Sequence, residues 1–518
     1  MTSRPPQEQT LKAVLEASAR RFGEKTALVM GDERVSFNRL DEDANRVANA
    51  LIGLGVKKGD RVATIQGSNI PFTAAFFGIM KAGAVAVPLD PRYVSDELAL
   101  LFADCKAKVL IAEPDCLESV AGEVDRFNLD HIITFGDAFR GRFLSFEDIM
   151  ASDETTAPDV DVRPDDVCII SYTGGPTLTP HGVALSHLPV CWEARDSADT
   201  FQQTEDDVMM QFALPTYHQF GLTAVLLASV MRGNRLVIVP GTGRSIHSFM
   251  ETIEREKGTM YMGVPYIYSL LINVARREGI KHDLSTLRLC VCGGAPLEPP
   301  VVKFFREEFG KEITEIYGLT ESVCHVTVMP LDGSGPAGSS GLTIPCWELK
   351  IFDENDNEVP TGTEGEICLR GPFMTGFYGK PEDSARALRG GWLHTGDLGK
   401  VDADNFLYIT ARKRHMIILK GQNVFPSDIE AVLGTHPAVA GVKAVGEIDL
   451  VRGETIKTLV KLKPGAAVTE QELRQFCQGK MADYKLPRSV EFVDELPAPT
   501  DAPIWRRPLG YEITDINL

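Results

Sequence analysis

Several things are scarce in this 518-residue sequence, and each scarcity removes a class of protein. Long apolar runs are missing. One apolar run, Gly67 to Met80, stops at Lys81, short of the roughly 20 residues a membrane-spanning helix needs. The opening MTSRPPQEQT is polar and carries no hydrophobic signal region, so the expected location is the cytoplasm, with no membrane partner. Positive charge is outnumbered, 53 Lys and Arg against 72 Asp and Glu. The resulting net charge of −19 excludes a general nucleic-acid surface, because phosphate attraction needs the opposite sign. The 10 cysteines include no CxxC pair and no tight cluster with histidine. Cys290 and Cys292, two apart on an apparent strand, read as small apolar core residues of a reducing compartment. Repeats and low-complexity segments are absent. So is lysine after Lys485, which matters below.

What is present is an alternation of apolar strands and amphipathic helices. RVATIQ, a helix to Gly83, AVAVPL, another helix and KVLIAE read as a β-α-β-α-β series, and a second series follows Asp206. Such alternation implies parallel sheets covered by helices. From about Leu342 to Ile409 short strands alternate with Gly, Asp and Asn turns. The predicted architecture is α/β: a large N-terminal body of two α/β subdomains plus a β-rich subdomain, followed by a small mobile α+β domain. The division expected is 1–413 and 414–518.

Four segments carry a resemblance: LPTYHQFG (Leu214 to Gly221), EIYGLTE (Glu315 to Glu321), GWLHTGD (Gly391 to Asp397) and ARKRHMIILKGQNVFPSDIE (Ala411 to Glu430). In this order and spacing they resemble the adenylate-forming superfamily of acyl-CoA synthetases, luciferases and peptide-synthetase adenylation domains. The resemblance extends over nearly the whole chain through VPLDPRY, GVP, CGGAPL, GFYGKPE and YKLPR. It implies that Tyr317 stacks on adenine with Gly294, Ala295, Pro296 and Gly318 beside it, and that Thr320 approaches the α-phosphate. Glu321 falls on the position that holds magnesium on ATP. Asp397 matches the carboxylate that accepts both ribose hydroxyls, a charge-assisted contact, and Arg412 its supporting guanidinium. His218 falls on the gate beside the acyl carbonyl, with Gly263, Val264 and Gly293 around the acyl pocket. Arg414 falls on the hinge about which the small domain swings. Lys420, Gly421 and Gln422 align with the loop that closes the CoA pantetheine tunnel.

Two segments depart from the family pattern. The phosphate loop, typically TSGTTGxPKG in the family, is TGGPTLTPHG here (Thr173 to Gly182). Pro176 deletes an amide donor, Leu178 replaces a residue that favours Gly, and the basic position survives only as His181. Near the C-terminus the family's LPRTxxGKILRR becomes LPAPTDAPIWRR, and Pro503 stands where a lysine bridges carboxylate and α-phosphate. Removing one preorganised charge donor commonly costs about 3–4 kcal/mol of barrier, roughly 100- to 1000-fold in rate. Making the adenylate is therefore expected to be lost or very weak. Converting it to a thioester needs only a grip on AMP, a thiol channel and exclusion of water.

That combination resembles the non-adenylating CoA ligases of terpenoid antibiotic biosynthesis. It implies a preformed acyl-adenylate of a bulky carboxylic acid as substrate, CoA as co-substrate, AMP as product, magnesium dispensable and a separate adenylating enzyme as supplier. Three alternatives stay open on sequence alone. One is a complete ATP-dependent synthetase using His181, Arg506 or Arg507. Another is a non-catalytic acyl- or nucleotide-binding protein. A third keeps the chemistry and replaces free CoA with a carrier-protein thiol.

Overall fold

A strongly apolar stretch of the sequence becomes the helix Ile70–Lys81, and nearly all of it is buried. Asn69 starts it by accepting the Phe72 amide at 2.6 Å, and Pro71 occupies the first turn, where an N–H has no partner to lose. Lys81 ends it with a fully buried ammonium that donates to Asp41 and Asn45, both at 2.7 Å. The charge is therefore paired, as burial demands.

The computed structural model of the chain describes residues 4–118, 120, 122–172, 180–241, 245–412, 416–419, 422–449, 453–497 and 505–506. Among these residues the strands form four sheets. In the first, Val85–Leu89, Arg61–Ile65, Val109–Ala112 and His131–Thr134 run parallel. Val167–Tyr172 extends that run and pairs antiparallel with Gly182–Ser186, Tyr172 opposite Gly182. The segment matching the family's phosphate loop thus joins two hairpin strands, but residues 173–179, with Pro176 and Leu178, lie outside the described residues.

The second sheet has a parallel centre made by Ile313–Tyr317, Leu289–Cys292, Met260–Gly263, Val208–Gln211 and Arg235–Ile238. The first β-α-β-α-β series stands as read, Arg61–Ile65, Val85–Leu89 and Val109–Ala112 running parallel with helices between them, but one element before it was not foreseen. A hairpin, Thr26–Met30 with Glu33–Ser36, precedes that series and joins the second sheet, Leu28 opposite Leu236. Local alternation says that a strand forms; it does not say which sheet receives it.

The β-rich third sheet stacks Glu348–Phe352, Gly365–Arg370, Leu393–Val401 and Leu407–Arg412 antiparallel, and Trp505–Arg506 pairs along its edge. The fourth belongs to the C-terminal region, with the long pair Val439–Asp449 and Gly453–Leu462 at its centre. Helices Pro426–Gly434 and Glu470–Cys477 contribute Ile429, Leu433, Leu473 and Cys477 to that region's own core. Among the described residues no helix is long and apolar enough to cross a membrane.

Helix Ile70–Lys81 packs on helix Phe37–Gly53 through Gly78. A Cβ there would stand 2.5 Å from Val47 Cβ and Cγ1 and 3.0 Å from the Ala44 carbonyl oxygen. Gly78→Ala should therefore destabilise the body by about 1–3 kcal/mol despite its gain in helix propensity, read as a lower urea midpoint at unchanged m-value.

Candidate active site

Parallel sheets present their loops at the carboxyl ends of the strands, and ligands bind there. Four adjacent strands of the second sheet end this way. After Val208–Gln211 come Ala213 and Leu214; after Met260–Gly263, Val264; after Leu289–Cys292, Gly294 to Pro296; and after Ile313–Tyr317, Gly318 to Thr320. All of these line one cavity of about 200 Å³. The third sheet adds Asp397 and Arg412, and the C-terminal region adds Ile418 and Gln422.

Two close approaches shape the cavity wall. A Cβ on Gly318 would lie 1.9 Å from the Cys324 carbonyl oxygen, so only glycine fits. That carbonyl is held by a tight turn in which the Cys324 amide donates to Ser322 O at 2.7 Å and Val323 takes φ 64, ψ −58. A buried β-branched residue in this conformation is strained by about 1–3 kcal/mol, the kind of strain that gathers at binding sites.

Asp397 and Arg412 stand opposite each other on antiparallel neighbours, with Arg412 Nε 3.4 Å from Asp397 Oδ1. The Tyr317 hydroxyl reaches across from the second sheet and donates to Asp397 Oδ2 at 2.8 Å. Burial, and next the neighbouring carboxylate, push the Tyr317 phenol well above its usual pKa, so it remains a donor. The backbone below is fixed as well. The Gly396 amide donates to Glu366 Oε1 at 3.0 Å, and Thr395 Oγ1 accepts the Asp397 amide at 3.0 Å while donating to Ile367 O at 2.7 Å.

His218 borders this cavity and a second one of about 20 Å³ lined also by Asp90, Tyr93, Tyr172, Tyr217 and Tyr484. Gln422 lines both too, so these two side chains stand at the passage between them. Burial lowers the His218 pKa, outweighing the pull of Asp90, and the imidazole is neutral at pH 7. A π-helical stretch, Phe220–Leu227, follows it, an irregularity often found at functional sites.

Several sequence-predicted residues stand elsewhere. Gly263 and Gly293 do not line the cavity. Their missing Cβ atoms leave room for the Tyr261 ring and for Ile316, so they are packing positions behind the wall. His181 Nε2 lies 3.1 Å from Asp383 Oδ2, away from the cavity. Glu321 is buried outside the lining, so as placed its carboxylate does not offer itself to a cation in the cavity. Arg414, Lys420, Gly421 and Pro503 lie outside the described residues. Sequence reasoning missed Gln219, Leu319, Ser340 and Ile409 as lining residues; the strand-end rule would have found Leu319.

Residues 15–378 match the AMP-binding enzyme family and residues 428–500 the AMP-binding enzyme C-terminal domain. A long-chain-fatty-acid–CoA ligase of Escherichia coli O6:H1 is 32% identical, over 98% of this chain and 95% of that protein. Among solved structures, a double mutant of o-succinylbenzoate CoA synthetase from Bacillus subtilis, bound with its product analogue OSB-NCoA, is similar at TM-score 0.81 and 25% identity. That match covers 95% of this chain and 97% of the other. ATP-bound MatB from Rhodopseudomonas palustris is similar at TM-score 0.71 and 28% identity, covering 96% and 97%.

Asp397→Ala removes a charged acceptor from a half-buried site, a loss of about 1.5–3 kcal/mol. AMP binding, measured by calorimetry, should weaken about 10- to 150-fold, whereas Asp404→Ala, on the exposed turn beyond the same strand, should leave it unchanged.

Proposed function

Since the chain belongs to the AMP-binding enzyme family, as an acyl-CoA ligase of the adenylate-forming superfamily, we propose that it carries out the second half of the ligase reaction. It takes a preformed acyl-adenylate and transfers the acyl group to CoA. The pantetheine sulfur forms a bond to the acyl carbon, the bond from that carbon to the AMP phosphate oxygen breaks, AMP departs, and the thiol proton is released. Adenylation of free acid by ATP is lost or very weak in this reading. A separate adenylating enzyme supplies the substrate, and magnesium is dispensable for the step performed here.

The observation that carries the proposal is a separation of residues. Pro176, Leu178 and Pro503 occupy positions that serve pyrophosphate departure in the family, and no lysine follows Lys485 to compensate. His181, the remaining basic candidate of the loop, faces Asp383. By contrast Tyr317, Thr320, Asp397, Arg412 and His218 converge on one cavity. Gln422 comes to it from the C-terminal region, beside the narrow passage we assign to the thiol arm. In this reading, 1–413 and 414–518 act as two domains about a hinge at Arg414. A bulky acid, terpenoid by the resemblance of the substitutions, is the acyl group this reading expects.

A complete ATP-dependent ligase is the second reading, favoured by 32% identity over 98% of the chain to a protein bearing a CoA-ligase name. Two assays on one preparation separate them. Acyl-adenylate plus CoA should release AMP and yield thioester, while ATP–pyrophosphate exchange with free acids should stay at background. Robust exchange would establish the complete ligase, and AMP release without thioester would remove both.

A further inference from the structure

The two regions meet at a buried ionic cluster that the site does not use. Lys485, at the end of the short turn Asp483–Lys485, is fully buried. Its ammonium donates to Glu97 Oε1 at 2.5 Å and lies 3.6 Å from Asp428 Oδ2. Glu97 sits on helix Ser95–Cys105 of the large body and Asp428 on helix Pro426–Gly434 of the C-terminal region. Glu97 Oε2 also accepts the Ala482 amide at 3.2 Å, and Ala482 is packed into the apolar cluster of the first sheet. Tyr93 and Tyr484 flank the ammonium, with ring centroids 5.4 and 5.9 Å away. Both tyrosines line the narrow passage beside His218 and Gln422.

We propose that Lys485 is a positioning residue for thiol transfer: clamped between Glu97 and Asp428, it holds the C-terminal domain in the orientation that brings Gln422 to the cavity. The proposal rests on the reading that this domain swings. On that reading, swinging the C-terminal domain off the body parts Lys485 and Asp428 from Glu97, so the cluster belongs to the closed orientation.

Its charges are unequal. Two carboxylates face one ammonium, and Lys485 sits nearer Glu97. At 3.6 Å the Lys485 ammonium stands beyond ordinary hydrogen-bond length from Asp428 Oδ2. Burial raises the Asp428 pKa to about 7, with Lys485 opposing and Glu97 reinforcing the shift. In an open orientation Asp428 returns toward the usual aspartate value near 4. A carboxyl whose pKa is higher closed than open favours closure at low pH, and that advantage is lost as pH rises through about 7. Closure then takes up one proton, and lowering pH from 8 to 6 should raise the closed-to-open ratio about 10-fold.

The test is a distance measured by double electron–electron resonance between nitroxides on Asp137→Cys, exposed on the body, and Lys461→Cys, exposed on the C-terminal domain, with the partly exposed Cys116 changed to Ser. The unsubstituted cluster should show a closed fraction that grows from pH 8 to 6. Lys485→Met should shift the distribution to open distances at both pH values and lower kcat for AMP release from acyl-adenylate and CoA at least 10-fold. Asp428→Asn, which keeps the shape and removes the titration, should stay closed at both and flatten the pH profile. A Lys485→Met protein with the parent's distances, or an Asp428→Asn protein that keeps the pH response, overturns the proposal. Distances that follow expectation without any thioester formed would overturn the function assigned above and leave the clamp standing.

Discussion

A half-buried carboxylate must be met by donors or be neutralised, and the Asp397 carboxylate is met from two sides while its backbone amide is held from a third. Arg412 faces it across the antiparallel pair, Tyr317 donates from the neighbouring sheet, and the Thr395 hydroxyl takes its amide. Since Tyr317 ends a strand of the second sheet while Asp397 and Arg412 belong to the third, one set of contacts fixes how the β-rich sheet leans over the strand ends. The cavity is the space left beneath. Its shape then depends on Gly318 and the strained turn at Val323, which together hold the Cys324 carbonyl against the wall.

The same logic governs the seam with the C-terminal region. There charge is buried at unequal count, two carboxyls to one ammonium, and burial raises the pKa of the more distant one, Asp428. The first junction joins two sheets of the body, Arg412 and Tyr317 facing Asp397, whereas the second joins the body to the C-terminal region through Lys485.

Much of the site was readable because its residues sit in contiguous motifs. Tyr317, Thr320, Asp397, Arg412 and Gln422 were named from local text and line one cavity. The alternation of strands and helices likewise gave parallel sheets and a β-rich segment. What local text could not supply was long-range placement. Nothing around Thr26–Met30 says that it pairs with Arg235–Ile238, and Lys485 meets Glu97 across 388 positions of chain. Gly263 and Gly293 looked like lining because they border the right motifs. A strand-end glycine serves either open space or a crowding neighbour, and only coordinates distinguish the Tyr261 ring and Ile316 from a void. The π-helical turn after His218 has no sequence signal we can name, since FGLTAVLL fits an ordinary buried helix equally well.

The central claim is that this chain grips AMP and has no working seat for pyrophosphate. Calorimetric titration of AMP and of ATP, each with and without magnesium, tests it most directly. A chain with Pro176 and Leu178 in that loop and no lysine near its end should bind ATP no more tightly than AMP, and magnesium should change neither. An ATP affinity 100-fold above that for AMP and dependent on magnesium, about 2.7 kcal/mol contributed by the two outer phosphates, would contradict it.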